Sequence, residues 1–343
     1  MEALPHQRWR PVRGLIAAVG AGSLLVLAPG VASADADAEA EACGDIATLQ
    51  ELDALSEDCA AVQQVIIIKP GQEFAVPAPG TSVTYSAVVA EGSPGVPEVT
   101  VARNESLEIG VRIGEAGGDD TQVYGSEGAL EELEGVADAG IDDTPISPAA
   151  SSNPKCDLDP YSANAWRWPQ GSTYNWYYKT SSLGNQAALS AALSAMADGI
   201  GACGKNVPNG AKHSYKGATT TASTVKSNGT CGPDDGKNVW DFGALKSSST
   251  LASTCTYKTS SEIFGADVRF NSALAWFATT SASGCSGKYD LEGVATHEAG
   301  HVFGLNHVDQ SSLQVMKPYS SKCETSQRKL GPGDLRGMKA LFP

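Results

Sequence analysis

HEAGHVFGLNH, residues 297–307, holds three of the five histidines in a chain of 343 residues. His297 and His301 stand four apart, which on a helix leaves them about 40° apart around the axis and one turn along it. Both imidazoles can then reach one ion at about 2.0 to 2.1 Å. Glu298 projects beside them, where it can hold a water next to the ion. Gly304 can take the positive φ that ends a helix, a conformation costly for most other residues, so the chain turns back and brings His307 to the same point. Three protein ligands leave a fourth position open, which marks a catalytic zinc site rather than a closed structural one. A helix with incidental surface histidines would not account for the matching glutamate and glycine.

Around the motif a helix is expected over 291–303. Upstream, a strand is expected over 174–179 and a helix over 185–200, where Leu189, Leu193 and Met196 share one face. Further strands are expected at 238–242 and 266–270, and a short helix over 334–341. Strands alternate with helices, so the class is α+β or α/β. His213 lies among Lys212, Tyr215 and Lys216 and reads as a surface or packing residue, not a ligand.

The first 34 residues have the parts of a secretory signal: Arg8, Arg10 and Arg13, an apolar run over 15–27, and the small-residue exit Ala32-Ser33-Ala34. The run is shorter than the roughly 20 residues that span a bilayer. Residues 35–113 read as a small β-containing domain, with a helical stretch over 46–55 and strands over 64–68, 82–89 and 107–113. Residues 114–153 are acidic and rich in Gly, Ser, Pro and Ala, which reads as a flexible linker open to cutting. Residues 154–343 form the third part, which is aromatic and ordered.

Charge divides the chain in the same place. Residues 35–153 carry 24 acidic and 3 basic side chains, whereas 154–343 carry 14 and 18. That contrast favours docking of the first region on the second, and 35–153 reads as a propeptide, with a retained accessory domain as the alternative. Eight cysteines follow the signal, an even set that fits disulfides in an oxidising compartment. Cys43 and Cys59 are a candidate staple of the N-terminal region.

The motif together with Met316 resembles the metzincin signature, and Val315-Met316-Lys317-Pro318-Tyr319 is similar to the Met-turn and specificity-pocket wall of the matrixin branch. GADVRFN, 265–271, resembles the edge strand that pairs with substrate in these enzymes. The resemblance covers roughly 154–343. It implies a metzincin catalytic domain with a twisted mixed sheet and an active-site helix, His297, His301 and His307 on one zinc ion, Glu298 as the acid–base residue, and Met316 as an apolar floor below the metal. A second, structural zinc is not carried over, because the histidines for it are missing. Asp267, Asp290 and Asp309 could serve a calcium site, but their spacing forms no recognised loop and they read as solvated surface carboxylates. Pro154-Lys155-Cys156-Asp157 is similar in part to the P-R-C-G setting that blocks zinc in matrixins. Without Cys156 the rest of the catalytic part holds five cysteines, an odd number, so disulfide bonding of Cys156 is the expectation.

The implied function is a secreted, extracellular zinc endopeptidase, made as a precursor, that hydrolyses peptide bonds by Glu-assisted attack of water. The expected partner is a protein or peptide substrate. No nucleic acid is expected, nor a membrane after signal cleavage, and the chain is expected to be a monomer. Two rivals stay open: a secreted binding or adhesion module stabilised by zinc, and a zinc hydrolase of a non-peptide amide.

Overall fold

The computed structural model describes residues 44–55, 59–60, 63–114, 121–134, 156, 160–163, 166–279, 285–309 and 312–343. The signal segment, Cys43, all of 135–155 and the residues flanking Cys156 lie outside them. In the N-terminal part the strands are β1 (Ile46–Thr48), β2 (Val65–Lys69), β3 (Gln72–Ala75), β4 (Thr81–Ala90), β5 (Glu98–Arg103), β6 (Ile109–Gly114) and β7 (Thr121–Gly125). Helices α1 (Leu49–Leu52) and α2 (Glu127–Glu134) accompany them. The remainder holds β8 (Tyr174–Tyr178), α3 (Gln186–Ala197), β9 (His213–Ala218), β10 (Asn238–Gly243), β11 (Thr250–Lys258), β12 (Ile263–Asn271), β13 (Trp276–Phe277), β14 (Tyr289–Asp290), α4 (Leu291–Phe303), β15 (Tyr319–Ser320) and α5 (Pro332–Leu341). The class is α+β, with a mixed sheet.

One sheet runs through both parts in the order β7-β6-β5-β4-β11-β12-β10-β8-β9, with β15 also on β4. The join is β4, which runs antiparallel to β11 from Ser82 opposite Lys258 to Val89 opposite Thr250. Along its other edge β5 pairs with Thr81–Tyr85 and β15 with Val89 and Ala90. With both edges taken and both faces covered, Ser82 through Val89 are all buried. The sequence TSVTYSAVVA suits that place, because β-branched and aromatic residues fit a packed, pleated surface.

Two cores result. The first lies around α3 and α4 and takes in Val88 of β4. The second combines Val83, Tyr85 and Ala87 of β4 with Val225, Cys231, Leu245, Cys255 and Tyr257. Burying Val83, Tyr85 and Val88 contributes roughly 5 kcal/mol, at about 1.5 to 3 per large apolar side chain. Charge attraction between exposed surfaces is screened over about 8 Å at physiological salt, so packing and strand pairing, not the charge contrast, carry the docking.

Ends of elements are set chemically. Asn185 caps α3 through its side chain, which accepts from the Ala188 amide at 2.8 Å, and Asp290 caps α4 by accepting from Gly293 N at 3.1 Å. Gly304 ends α4 at φ 106°, and a Cβ there would lie 2.6 Å from the Trp166 carbonyl oxygen. Disulfides join Cys156 to Cys203, Cys231 to Cys255 and Cys285 to Cys323, and Cys59 is also bonded. Among the described residues no helix is long and apolar enough to cross a membrane.

Several expectations need correction. Residues 121–134, read as linker, form β7 and α2, because β7 completes the backbone pairing of β6. The stretch 46–55 is a strand followed by one turn of helix, since Ile46–Thr48 pairs with Val65–Ile67. GADVRFN is no edge: β12 lies between β11 and β10. Asp267 and Asp290 are not surface carboxylates but are 1% and 0% exposed. The first accepts from Thr224 N and Oγ1 and from Val239 N, and the second caps α4 and pairs with Arg328.

Candidate metal centre

The spacing on α4 and the turn at Gly304 bring three imidazoles to one point. His297 Nε2 is 3.2 Å from His301 Nε2 and 3.1 Å from His307 Nε2, and the last two are 3.1 Å apart. Nδ1 of His297 lies 2.8 Å from the Val315 carbonyl, and Nδ1 of His301 lies 2.9 Å from that of Leu305. A carbonyl only accepts, so Nδ1 carries the hydrogen in both rings and the Nε2 lone pairs face one another. Three bare lone pairs at this separation are unfavourable without a cation. Tetrahedral ligands at 2.0 to 2.1 Å from zinc would be about 3.3 Å apart, so the donor set fits such an ion.

Burial keeps these rings neutral. It drives His297 and His307 well below the usual imidazole value, reinforced by the neighbouring histidines, and lowers His301 while Glu98 opposes. Neutral imidazole is the form that ligates. Among the described residues the three histidines are the one group of metal-ligating side chains that could hold an ion. His307 Nδ1 has no hydrogen-bond partner. His213, by contrast, is held by Trp176 Nε1 at 3.4 Å and Ser194 Oγ at 3.0 Å, as a packing residue.

Glu298 is fully buried, and its pKa is pushed up to about 8 by that burial, against the opposing hydrogen bond from Thr254 and the backbone amide of Val88. Its Oε2 accepts from Thr254 Oγ1 at 2.5 Å, while Oε1 has no partner. Met316 is 1% exposed and packs against α4, where a Cβ on Gly300 would overlap its sulfur. Asp334 of α5 holds this turn by accepting from Val315 N at 2.8 Å and Met316 N at 3.4 Å. Gln327 Nε2 donates to the Val315 carbonyl at 3.2 Å. Thr254, Gln327 and Asp334 were missed in the sequence, where 334–341 reads only as a short helix.

Residues 241–343 match the matrixin family of peptidases. Over these residues the chain is similar to the matrixins. The matrixin-like segment takes in β11, β12, the three histidines and the turn at Met316, and it leaves the N-terminal part outside the match. No curated protein matches the chain. The matrixin likeness supports a metalloprotease in general, with zinc as the implied ion and protein as the implied substrate.

Proposed function

We propose that the protein is a secreted zinc endopeptidase made as a precursor, with His297, His301 and His307 as the ligands and Glu298 as the residue that moves the proton. The convergence of three Nε2 atoms beside a buried glutamate with a free Oε1 carries this reading. When bound, zinc supplies Lewis acidity to the scissile carbonyl and acidifies a water. Glu298 takes a proton at Oε1 and returns it to the leaving nitrogen. Thr254 fixes the other oxygen. A zinc-stabilised binding module would have no use for a general base.

Residues 35–153 act as the prodomain. Pairing of β4 with β11 and β15 and the burial of Glu298 support this reading, and three described disulfides together with the bonded Cys59 suit an oxidising compartment. Casein cleavage by the secreted protein tests the reading, before and after limited proteolysis over 135–155, alongside Glu298→Ala and a zinc chelator. Activity that rises on nicking and is lost with chelator and with Glu298→Ala is expected. Stoichiometric zinc without cleavage by any form would leave the binding module standing.

A further inference from the structure

Beside the second core, where the N-terminal part meets the rest of the chain, lies a cavity of about 240 Å³. Its walls come from both parts. Tyr85 of β4 and Val96 line it from one, Leu245 and Thr250 from the other, and the turns 70–72 and 227–229 complete it. Gln72 ties these turns together, its Nε2 donating to the Gly229 carbonyl at 2.7 Å. The Tyr85 hydroxyl is engaged by Ser253 Oγ at 2.8 Å, so the ring adds chiefly apolar surface to the wall.

Charge sets this cavity apart from its surroundings. Residues 35–153 carry 24 acidic and 3 basic side chains, yet no carboxylate lines the cavity, and one of those three bases, Lys69, does. Lys246 joins it from the other part. Gly71, at φ 76°, makes room for that side chain, since a Cβ there would lie 3.2 Å from Lys246 Nζ. Both lysines are exposed, whereas Tyr85 and Leu245 are buried, so the cations stand at the opening and the apolar surface lies deeper. Two cations at one opening with no carboxylate between them favour an anion there.

We propose that this cavity binds a small organic anion, a carboxylate on an apolar body, with Lys69 and Lys246 at the carboxylate and Tyr85, Val96 and Leu245 around the body. A cavity of roughly 150 Å³ takes up benzene, so this one holds about ten non-hydrogen atoms. Largely apolar walls with a few polar groups to fix orientation are the usual make-up of a small-molecule site. Because the walls belong to both parts, the ligand binds only while β4 is paired with β11, and by mass action it stabilises that arrangement. The site is separate from the metal centre and does not depend on the endopeptidase reading.

The full chain is titrated by calorimetry with octanoate, an anion of that size, with octanol as its neutral counterpart, and with inorganic phosphate. Octanoate should bind saturably with a dissociation constant on the order of 1 mM, raise the unfolding temperature, and slow amide exchange in the turns 70–72 and 227–229. Lys69→Gln and Lys246→Gln alter exposed side chains and keep the fold. Each should weaken octanoate roughly three-fold, and the two together about ten-fold, which is also the expected deficit of octanol. Phosphate, lacking the apolar body, should show no heat of binding. Octanoate affinity unchanged in the double variant, octanol or phosphate binding as tightly as octanoate, or no saturable binding at about ten times the expected constant would each overturn the proposal.

Discussion

Thr254 Oγ1 and Glu298 Oε2 are 2.5 Å apart in a fully buried contact between β11 and α4. The hydroxyl has no other route to the carboxylate, and a hydrogen bond to a charged group contributes about 1.5 to 3 kcal/mol. Thr254→Val keeps the shape and removes the donor. A fall in kcat on the order of 10-fold, from that range, with KM little changed, is expected in peptide hydrolysis; Thr254→Ser should recover most of it, and an unchanged kcat would remove Thr254 from the positioning of Glu298.

Asp334 ties the C-terminal helix to the turn below the histidines. Asp334→Ala strands the amides of Val315 and Gly331, each bonded at 2.8 Å, and a buried unsatisfied donor costs about 1 to 3 kcal/mol. Because the Val315 carbonyl also holds His297, zinc affinity should fall along with the unfolding temperature. Calorimetry with and without zinc separates the two losses.

Arg328 meets Asp290 through two bonds, Nε to Oδ2 and Nη2 to Oδ1, both 2.6 Å. The aspartate is fully buried and caps the helix that carries the histidines. Removing one partner of such a pair costs about 3 to 5 kcal/mol. Arg328→Met should therefore lower denaturant stability by that amount, whereas a loss under about 1 kcal/mol would mean the pair is solvated.

Lys258 is buried against the Trp166 ring, 4.0 Å from its centre, and donates to Thr84 Oγ1 of β4 at 2.8 Å. Burial, with Arg112 adding to it and Glu98 opposing, pushes its pKa from 10.5 to about 8. Between those values the unfolded chain holds the proton and the folded chain does not, so unfolding takes up a proton and stability rises with pH. Above about 10 the buried Tyr85, raised to about 12, works the other way. From pH 8 to 9.5 the wild-type unfolding temperature should gain on that of Lys258→Met; parallel curves would contradict the shift.

The helix of the site was legible to the residue, because both its ends are local chemistry: Asp290 caps one and Gly304 the other. The histidines and Glu298 are legible for the same reason, lying within eleven residues of chain. Thr254 reaches Glu298 across 44 residues and Asp334 reaches Val315 across 19, and no local spacing announces such partners. TLASTCTYK escaped notice as β11 because all nine residues are buried, so its two faces show no alternation to read. For the same reason the partner of β4 was invisible: Ser82 to Val89 reads as a strand, but nothing in it names β11 as the neighbour.

The bridge between Cys231 and Cys255 closes a loop of 24 residues inside a core to which β4 lends Val83, Tyr85 and Ala87. A crosslink over a loop of that size restricts the unfolded chain by about 3 kcal/mol whatever packs beside it. Were β4 to leave, the same residues would line an open trough, and the covalent tie would be what keeps its rim from peeling away.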